Sequence, residues 1–496
     1  MNIAMKSEPI SADMSHVEYS PPRLGWTNGP AGRGTLDITW SCIITMFLCS
    51  WSILCLNVPG PKETGFQVLW RKLSLTALGV LCPELMFSFA YGQWLQARQS
   101  VRDFSQAAPG DSPALHKRST LGWIKGIFTC TGLISESRST TRWTMKEAFF
   151  AEMGGFRLRT RDFAAFPLDA KQVHYLVSNG HMDLPTLNER VIEDKNKADG
   201  LLRAITLCQI LWFLVNVIGR WAQRLVVTTL ELTTVSFILC SSMTAFFWWR
   251  KPADVLLPVN IDSDISMSNL LQAEIQTLTA WNRTPLDFVS REEWWWSKCW
   301  SNFVNILRNM RLSFGSDVKP IDRIGDTQLK AVSRGKQWII GLLAYVYLAV
   351  LFAGWNHEFL TSVEQTLWRA ACGTMMGSVT VLLFALELTT FWNKHPIPEG
   401  VKTKLFGRIL QTEKPRRGRQ MLQTLNRVLD HVRNNSATKD PEFYIPLRLI
   451  LPIYVTAVFY CYARTYVFVA DIIDLRSLPA SAYATVDWQK FWPHLA

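Results

Sequence analysis

The chain is 496 residues long, 48% hydrophobic and 19% charged, with 52 basic and 40 acidic residues and a formal charge of +12. Mean hydropathy is +0.07, and the charged share falls below the roughly 25% of ordinary soluble domains. The apolar residues gather in blocks of about 20, which excludes a disordered chain, a disulfide scaffold and an ordinary soluble globule and leaves a multi-spanning membrane protein.

Residues 1–37 are polar, with Pro21, Pro22 and several glycines, and read as a flexible tail. The first apolar block begins too late for a cleaved signal peptide, so Ile38–Val58 reads as an uncleaved anchor. Further candidate spans are Leu73–Ala97, Leu201–Ile218, Leu225–Trp249, Trp338–Trp355, Cys372–Trp392 and Leu449–Ala470. Each can cross about 30 Å of hydrocarbon at 1.5 Å per residue. Helices are required there, because an unpaired backbone amide in lipid is costly. The second and seventh are the least regular: Pro83-Glu84 interrupts one and Arg464 lies in the other. The fold class expected is all-α, a polytopic helical membrane protein with six or seven transmembrane helices plus amphipathic interfacial and cytoplasmic helices.

The organisation follows from these blocks. The tail 1–37 leads into helices 1–2 over 38–97 and a polar cytoplasmic segment over 98–200. Helices 3–4 take 201–249, before a cytoplasmic or interfacial segment over 250–337. Helices 5–6 take 338–392, followed by a basic loop over 393–443. Helix 7 takes 444–470, and 471–496 is the C-terminal tail. With seven spans the N-terminal tail and all three long segments share one side, which holds 41 of the 52 basic residues. Basic loops face the cytoplasm, so a cytoplasmic N-terminus is expected, in the endoplasmic reticulum or the plasma membrane. The sequon Asn282-Arg283-Thr284 then lies on the side where sugar is not added. The basic run with Lys414, Arg416, Arg417 and Arg419 is either a solvated loop or a contact for anionic lipid headgroups.

Within the segment 291–314, Trp296, Trp300, Phe303, Leu307 and Met310 recur at spacings of 4, 3, 4 and 3 and share one helical face. Lys298, Asn305, Arg308 and Arg311 lie off it. An aromatic face opposite basic residues suits a helix lying in the membrane interface; the alternative is a helix packed on its neighbours. The 22 tryptophans, several at block edges, fit the same headgroup zone.

Chemistry-bearing patterns are few. Walker A, GxSxG, HExxH and kinase signatures are absent. The eight histidines do not cluster as metal ligands, and the ten cysteines, eight of them in apolar blocks, form no CxxC. No cofactor, metal or disulfide is expected, nor a nucleic-acid partner. His357 beside Glu358 is an acid–base pair or a wet helix end. Glu193, Asp194 and Asp199 stand at the entry to the third span, but interleaved lysines and the helix dipole explain them without a metal. Ionisable residues inside spans are expensive unless paired or wetted. Glu84, Glu231, Glu387 and Arg464 therefore form the candidate intramembrane polar site. By topology Glu231 and Arg464 share one half of the bilayer and could pair, and Arg224 precedes Glu231 on the same helical face. Such residues fix helix packing, or line a cavity that binds a substrate or relays a proton.

Several strings act together: RGTLDITWSCIITMFLCSWSILCLNVP, EDKNKADGLLRAITLCQILWFLVNVIGR, LELTTVSFILCSSMTAFFWWRKPADVLLPV, WNHEFLTSVEQTLWR and DLRSLPASAYATVDWQKFWPHL. In these the chain resembles a family of uncharacterised multi-pass membrane proteins of filamentous and mushroom-forming fungi, from about residue 33 to its end. The family's WxK-P string is matched by Trp249, Lys251 and Pro252. The resemblance implies a fungal membrane protein and transfers no catalytic residue. Three functions compete. The first is a non-enzymatic scaffold, sensor or solute conduit. The second is a membrane-embedded enzyme or accessory factor for a hydrophobic small molecule such as a terpenoid or lipid, with an intramembrane carboxyl as general acid. The third is a transporter, against which no two-fold repetition of spans is visible. The lipid bilayer is the partner common to all.

Overall fold

The computed structural model describes residues 23–27, 33–107, 143–185, 197–279, 281–309, 319–330, 334–394, 424 and 447–488. In chain order the elements are β1 (Arg23–Leu24), α1 (Thr35–Ile53), α2 (Gly65–Leu81), α3 (Pro83–Ala107), α4 (Met145–Glu152), β2 (Phe156–Arg159), β3 (Phe166–Leu168) and α5 (Ala170–Ser178). There follow α6 (Lys197–Ala222), α7 (Thr229–Phe247), β4 (Val259–Asp262), α8 (Met267–Ala273), α9 (Asp287–Ser290) and α10 (Trp295–Asn309). The last are α11 (Arg334–Phe352), α12 (Ser362–Lys394), α13 (Leu447–Asp474) and β5 (Leu478–Pro479). The basic loop around Lys414 and the acids Glu193 and Asp194 lie outside the described residues.

Local sequence sets many of the helix starts. Thr64 with Gln67, Thr144 with Glu147, Asp169 with Gln172, and Thr228 with Glu231 each form a reciprocal capping box opening α2, α4, α5 and α7. Such a box satisfies backbone N–H groups that have no partner inside the helix. Among the described residues six helices are long and apolar enough to span a membrane: α1, α6, α7, α11, α12 and α13. The protein is a polytopic helical membrane protein. The candidate span Leu73–Ala97 is two helices, α2 and α3, meeting at 113°. Cys82 ends α2, and Pro83, which has no N–H to give an earlier carbonyl, opens α3.

Polar contacts sort the helix ends into two faces. At one face β1 pairs antiparallel with β5, Arg23 opposite Pro479 and Leu24 opposite Leu478. There, too, Tyr483 meets Thr35 and Gly25, and Arg220 at the end of α6 donates to the carbonyls of Ser481, Ala482 and Ala484. Thr229 and His357 both meet Asp474. The segment read as a flexible tail is thus anchored at Arg23–Leu24 and again from Arg33, because its arginines find carbonyl and carboxylate partners on the bundle end. At the opposite face lie Cys55 and Asn57, Lys251, Asp254 and the Gly325-Asp326 turn. This face carries a folded cap.

The cap is built from segments that read as polar linkers. Strand β2 pairs antiparallel with β3 and parallel with β4, giving the order β3-β2-β4. Phe149, Phe150, Phe156, Leu158, Phe166, Leu168, Val173 and Leu176 fill its core, which continues into Tyr91 and Trp94 of α3. At three or four residues each, these strands are too short to show a two-residue period in the sequence. Gly155 is required here: a Cβ would lie 2.4 Å from the Phe150 ring.

Candidate functional site

The four ionisable residues expected inside the spans do not converge as a set. Glu231 occupies the first turn of α7, where its carboxylate accepts from the Thr228 N–H at 2.9 Å and from Arg33 at 2.5 Å. Arg220 lies 3.9 Å away. The pairing of Glu231 with Arg464 is therefore corrected: the T-x-x-E capping box and Arg33 take the carboxylate. Arg224 has a left-handed backbone, φ 55°, in the turn after α6, and it is Arg220 that approaches Glu231. Glu387 lies 15 residues beyond Cys372 on α12, about 22 Å along the axis. It has interactions of its own and is not among the charges acting on Arg464.

Glu84 and Arg464 are close enough to interact electrostatically, without a direct contact. Arg464 is 0% exposed, ten residues before the end of α13, or about 15 Å and so near the bilayer middle. Glu84 follows the α2–α3 break, and its carboxylate acts on Arg464 together with Tyr347 of α11, Tyr460 of α13 and Asp471 of α13. The guanidinium stacks over Phe468, 4.5 Å from the ring centroid, and over Tyr347 at 5.5 Å. Cys240 of α7 and Cys372 of α12 border the cluster. Tyr460 and Cys240 stand near the middle of α13 and α7, Glu84 opens α3 and Asp471 is three residues from the end of α13, so five elements contribute polar or polarisable groups around Arg464.

These groups are not satisfied by one another. All three Arg464 nitrogens, both Asp471 oxygens, Glu84 Oε2, the Tyr347 and Tyr460 hydroxyls and Thr233 Oγ1 are enclosed and have no direct hydrogen-bond partner among the described residues. Tyr460 stands near Glu84 and Thr233 near Asp471, so modest rotations would pair those two. The Arg464 fork, with five N–H donors, would still be open. Unpartnered buried polar atoms cost roughly 1–3 kcal/mol each, more when charged, so the cluster is expensive as it stands. Asp471, Tyr347 and Tyr460 escaped the sequence reading: Asp471 follows directly on the last apolar block, and a tyrosine in a span carries no signal of its own.

The edge of the bundle holds a second polar group, in which His357 Nε2 contacts Asp474 Oδ2 at 2.9 Å and Thr229 donates to the same oxygen at 3.2 Å. His357 thus pairs with Asp474, which comes from a distant part of the chain, and the neighbouring Glu358 lies 4.0 Å from Arg23. In the cap, Lys251 is buried with its Nζ 2.8 Å from the Cys55 carbonyl, 2.9 Å from Gln93 Oε1 and 3.2 Å from Asn57 Oδ1. Burial pulls its ammonium down to about 8, with Cys55 and Asp326 limiting the fall. Lys330 sits between Glu152 and Asp169 at 2.9 and 3.2 Å. Burial works against its charge, but the two carboxylates outweigh it and hold the ammonium above its ordinary value. Among the described residues no group of His, Cys, Asp and Glu could hold a metal ion.

Helix α10 turns Cys299 and Asn302 inward, Cys299 onto Ile450 and Ile453 of α13, while Tyr454 donates to Asn302. Trp300 and Leu307 are half-buried and Phe303 is 38% exposed, on a face rotated about 100° from the packed one. The Trp296 side chain and Met310 lie outside the described residues.

A family model described as a family of unknown function, DUF8562, matches residues 10–281. No curated protein and no solved structure matches the chain.

Proposed function

The chain belongs to this DUF8562 family, matched over more than half its length, and we propose from that premise that it is a non-enzymatic membrane conduit for a small polar solute. The observation that carries this reading is Arg464, fully buried at mid-depth with its whole guanidinium fork open beside two carboxylates. Irregular backbone at membrane depth, such as the Cys82-Pro83 break, is tolerated where protein buries it or where it lines a wet cavity. Broken helices of this kind form solute sites in known classes of carrier. The solute would offer an acceptor to Arg464 and a donor to Glu84 or Asp471, with water filling the site in its absence.

The test is permeability of proteoliposomes holding the full chain to protons, glycerol, urea and formate. Faster entry of at least one probe than in empty vesicles is expected, and its loss in Arg464→Met with the variant still folded. Vesicles no more permeable than empty ones to all four would overturn the reading.

A second reading, an enzyme acting on a terpenoid or lipid, draws on one feature. Glu84 is only half-buried and stands near Cys461 and Leu81, both exposed on the side of the bundle. Lipid extracts of a filamentous fungus, the source implied by the sequence resemblance, would separate it from the first. A Glu84→Gln strain would accumulate a hydrophobic precursor under the enzyme reading and none under the conduit reading.

The membrane setting completes the proposal. The exposed aromatic side of α10 rests in the headgroup zone, and the basic loop over 393–443 touches anionic headgroups. The long segments on the cap's side of the membrane hold most of the basic residues, and that side faces the cytoplasm of the endoplasmic reticulum or plasma membrane. Residues 23–27 and 33–35 stand at the other end of the bundle, so this reading puts them outside the cytoplasm, where the seven-span expectation had them inside.

A further inference from the structure

The bent pair α2–α3 invites a question of topology that does not depend on what the protein carries. Lys72 of α2 pairs with Asp254 at 3.0 Å, and Gln93 of α3 accepts from Lys251 at 2.9 Å. Asp254 and Lys251 belong to one turn of the cap face, just after α7. Arg71 and Glu63, at the start of α2, are likewise held there by Asp326 and Arg323. Both arms therefore reach the same face. Between these anchors the chain travels to Cys82, at the level of Cys461 and Arg464, and back. Nine to eleven residues separate the break from either anchor, about 15 Å of helix, which is half of a 30 Å hydrocarbon core.

The outer surface of α2 fits this placement. Phe66, Trp70, Leu73, Ala77 and Leu81 form one exposed stripe at helical spacing, with Phe66 73% and Trp70 53% accessible. The inner side carries Thr76 and Gly79, and Gly79 lets Met86 of α3 approach within 3.2 Å of where its Cβ would be. A five-residue apolar stripe with no protein over it is normal only where lipid covers it. The same kind of surface appears on the neighbouring spans at Trp40, Ile43, Phe47, Leu207, Leu211 and Trp212.

We infer that α2 and α3 form a re-entrant hairpin, dipping from the cap face to the bilayer middle and returning, with the Phe66–Leu81 stripe against the acyl chains of that leaflet. Six helices then span, and both chain termini lie opposite the cap. The pairing of β1 with β5 requires the last of these, since an odd number of spans would put Arg23 and Pro479 on different sides.

Epitope tags ahead of Met1, after Ala496 and in the exposed turn after Gly180 would be tested by protease digestion of sealed membranes. The two terminal tags are expected to behave alike and opposite to the Gly180 tag. A first tag that behaves like the Gly180 tag, with the last one opposite, would mean seven spans and overturn the hairpin. Nitroxides at Leu73→Cys and Ala77→Cys provide a second measurement in case a tag disturbs insertion. They are expected to be more accessible to oxygen than to a water-soluble nickel complex, and deeper at residue 77 than at residue 73. Nickel access equal to that of a nitroxide at His181→Cys would place α2 in water and sink the proposal.

Discussion

Glu231 and Arg464 are both buried charges in apolar helices, and their surroundings give them opposite energetic signs. Glu231 satisfies a helix N-terminus and compensates Arg33. In Glu231→Gln the amide can still serve the capping box, as Gln67 and Gln172 do elsewhere in the chain. The loss is then that of the ion pair, and a destabilisation of about 1–3 kcal/mol is expected, read as a lower Tm in detergent micelles. Arg464 has no direct hydrogen-bond partner to lose, only its stacking on Phe468 and Tyr347. Replacing a buried ionic group as a whole by neutral side chains is often neutral or stabilising by about 1–4 kcal/mol, whereas removing one charged partner alone costs about 3–5 kcal/mol. The triple variant Arg464→Met, Glu84→Gln, Asp471→Asn is therefore expected to keep or raise the Tm while abolishing solute passage; a drop as large as that of Glu231→Gln would make the cluster a packing element. Lys251 adds a pH dependence. Its folded pKa of about 8 lies below its ordinary 10.5, so between those values the unfolded chain binds more protons and stability rises with pH. Wild type should gain on the order of a few kcal/mol relative to Lys251→Met between pH 7 and pH 10, and parallel curves for the two would show that Lys251 is not titrating in this window.

Helix packing depends on small residues at a few crossings. Gly341 of α11 faces Leu383 of α12, and a Cβ there would lie 2.7 Å from Leu383 Cδ1. Small residues allow such close approach in membranes. Gly341→Leu should cost about 1–3 kcal/mol and be partly rescued by Leu383→Ala, because the large side chain then has space; a second variant no better than the first would argue against this crossing. On α10, Cys299→Asp should unfold the contact with α13, whereas Phe303→Ser should lower the Tm less, losing an edge contact with Tyr454 worth about 0.5–1.5 kcal/mol. The elements differ in how far the sequence disclosed them. Long apolar blocks announced α1, α6, α7, α11, α12 and α13, because lipid demands about 20 apolar residues in a row. Pro83 marked an irregularity, but a kink within one span and a reversal of direction look alike in hydropathy. What separates them is Lys72 and Gln93 reaching the same turn, a tertiary fact. The candidate site was half legible for a similar reason. Charges in apolar blocks stand out, which exposed Glu84 and Arg464, yet Glu231 was also flagged although its T-x-x-E pattern already marked it as a cap. Nothing local in Tyr347 or Tyr460 announces that they face an arginine.

At the scale of the molecule, two faces of unlike character close the ends of one helical bundle. The cap is a packed layer with its own small sheet, whereas the opposite face is tied by short strands and by arginines donating to carbonyls. Moving the N-terminal segment across the membrane leaves the charge asymmetry intact, since Lys6, Arg23 and Arg33 depart as Lys62, Arg71 and Lys72 arrive. Under the proposed orientation the basic side still faces the cytoplasm, and β1–β5 is then the part exposed to an oxidising compartment. Arg23 and Pro479 are direct antiparallel partners, and such Cα pairs lie about 4.5–5.5 Å apart, within disulfide range. The double variant Arg23→Cys with Pro479→Cys should then oxidise spontaneously during biosynthesis. With a protease site placed after Gly180, the cut chain is expected to migrate as one species without reductant and as two with it, while either single variant separates in both lanes. Fragments that separate without reductant, but stay joined after a chemical oxidant is added, would show the strands paired on a reducing side and reverse the orientation. Fragments that separate even then would break the pairing of β1 with β5, and with it the requirement that the number of spans be even.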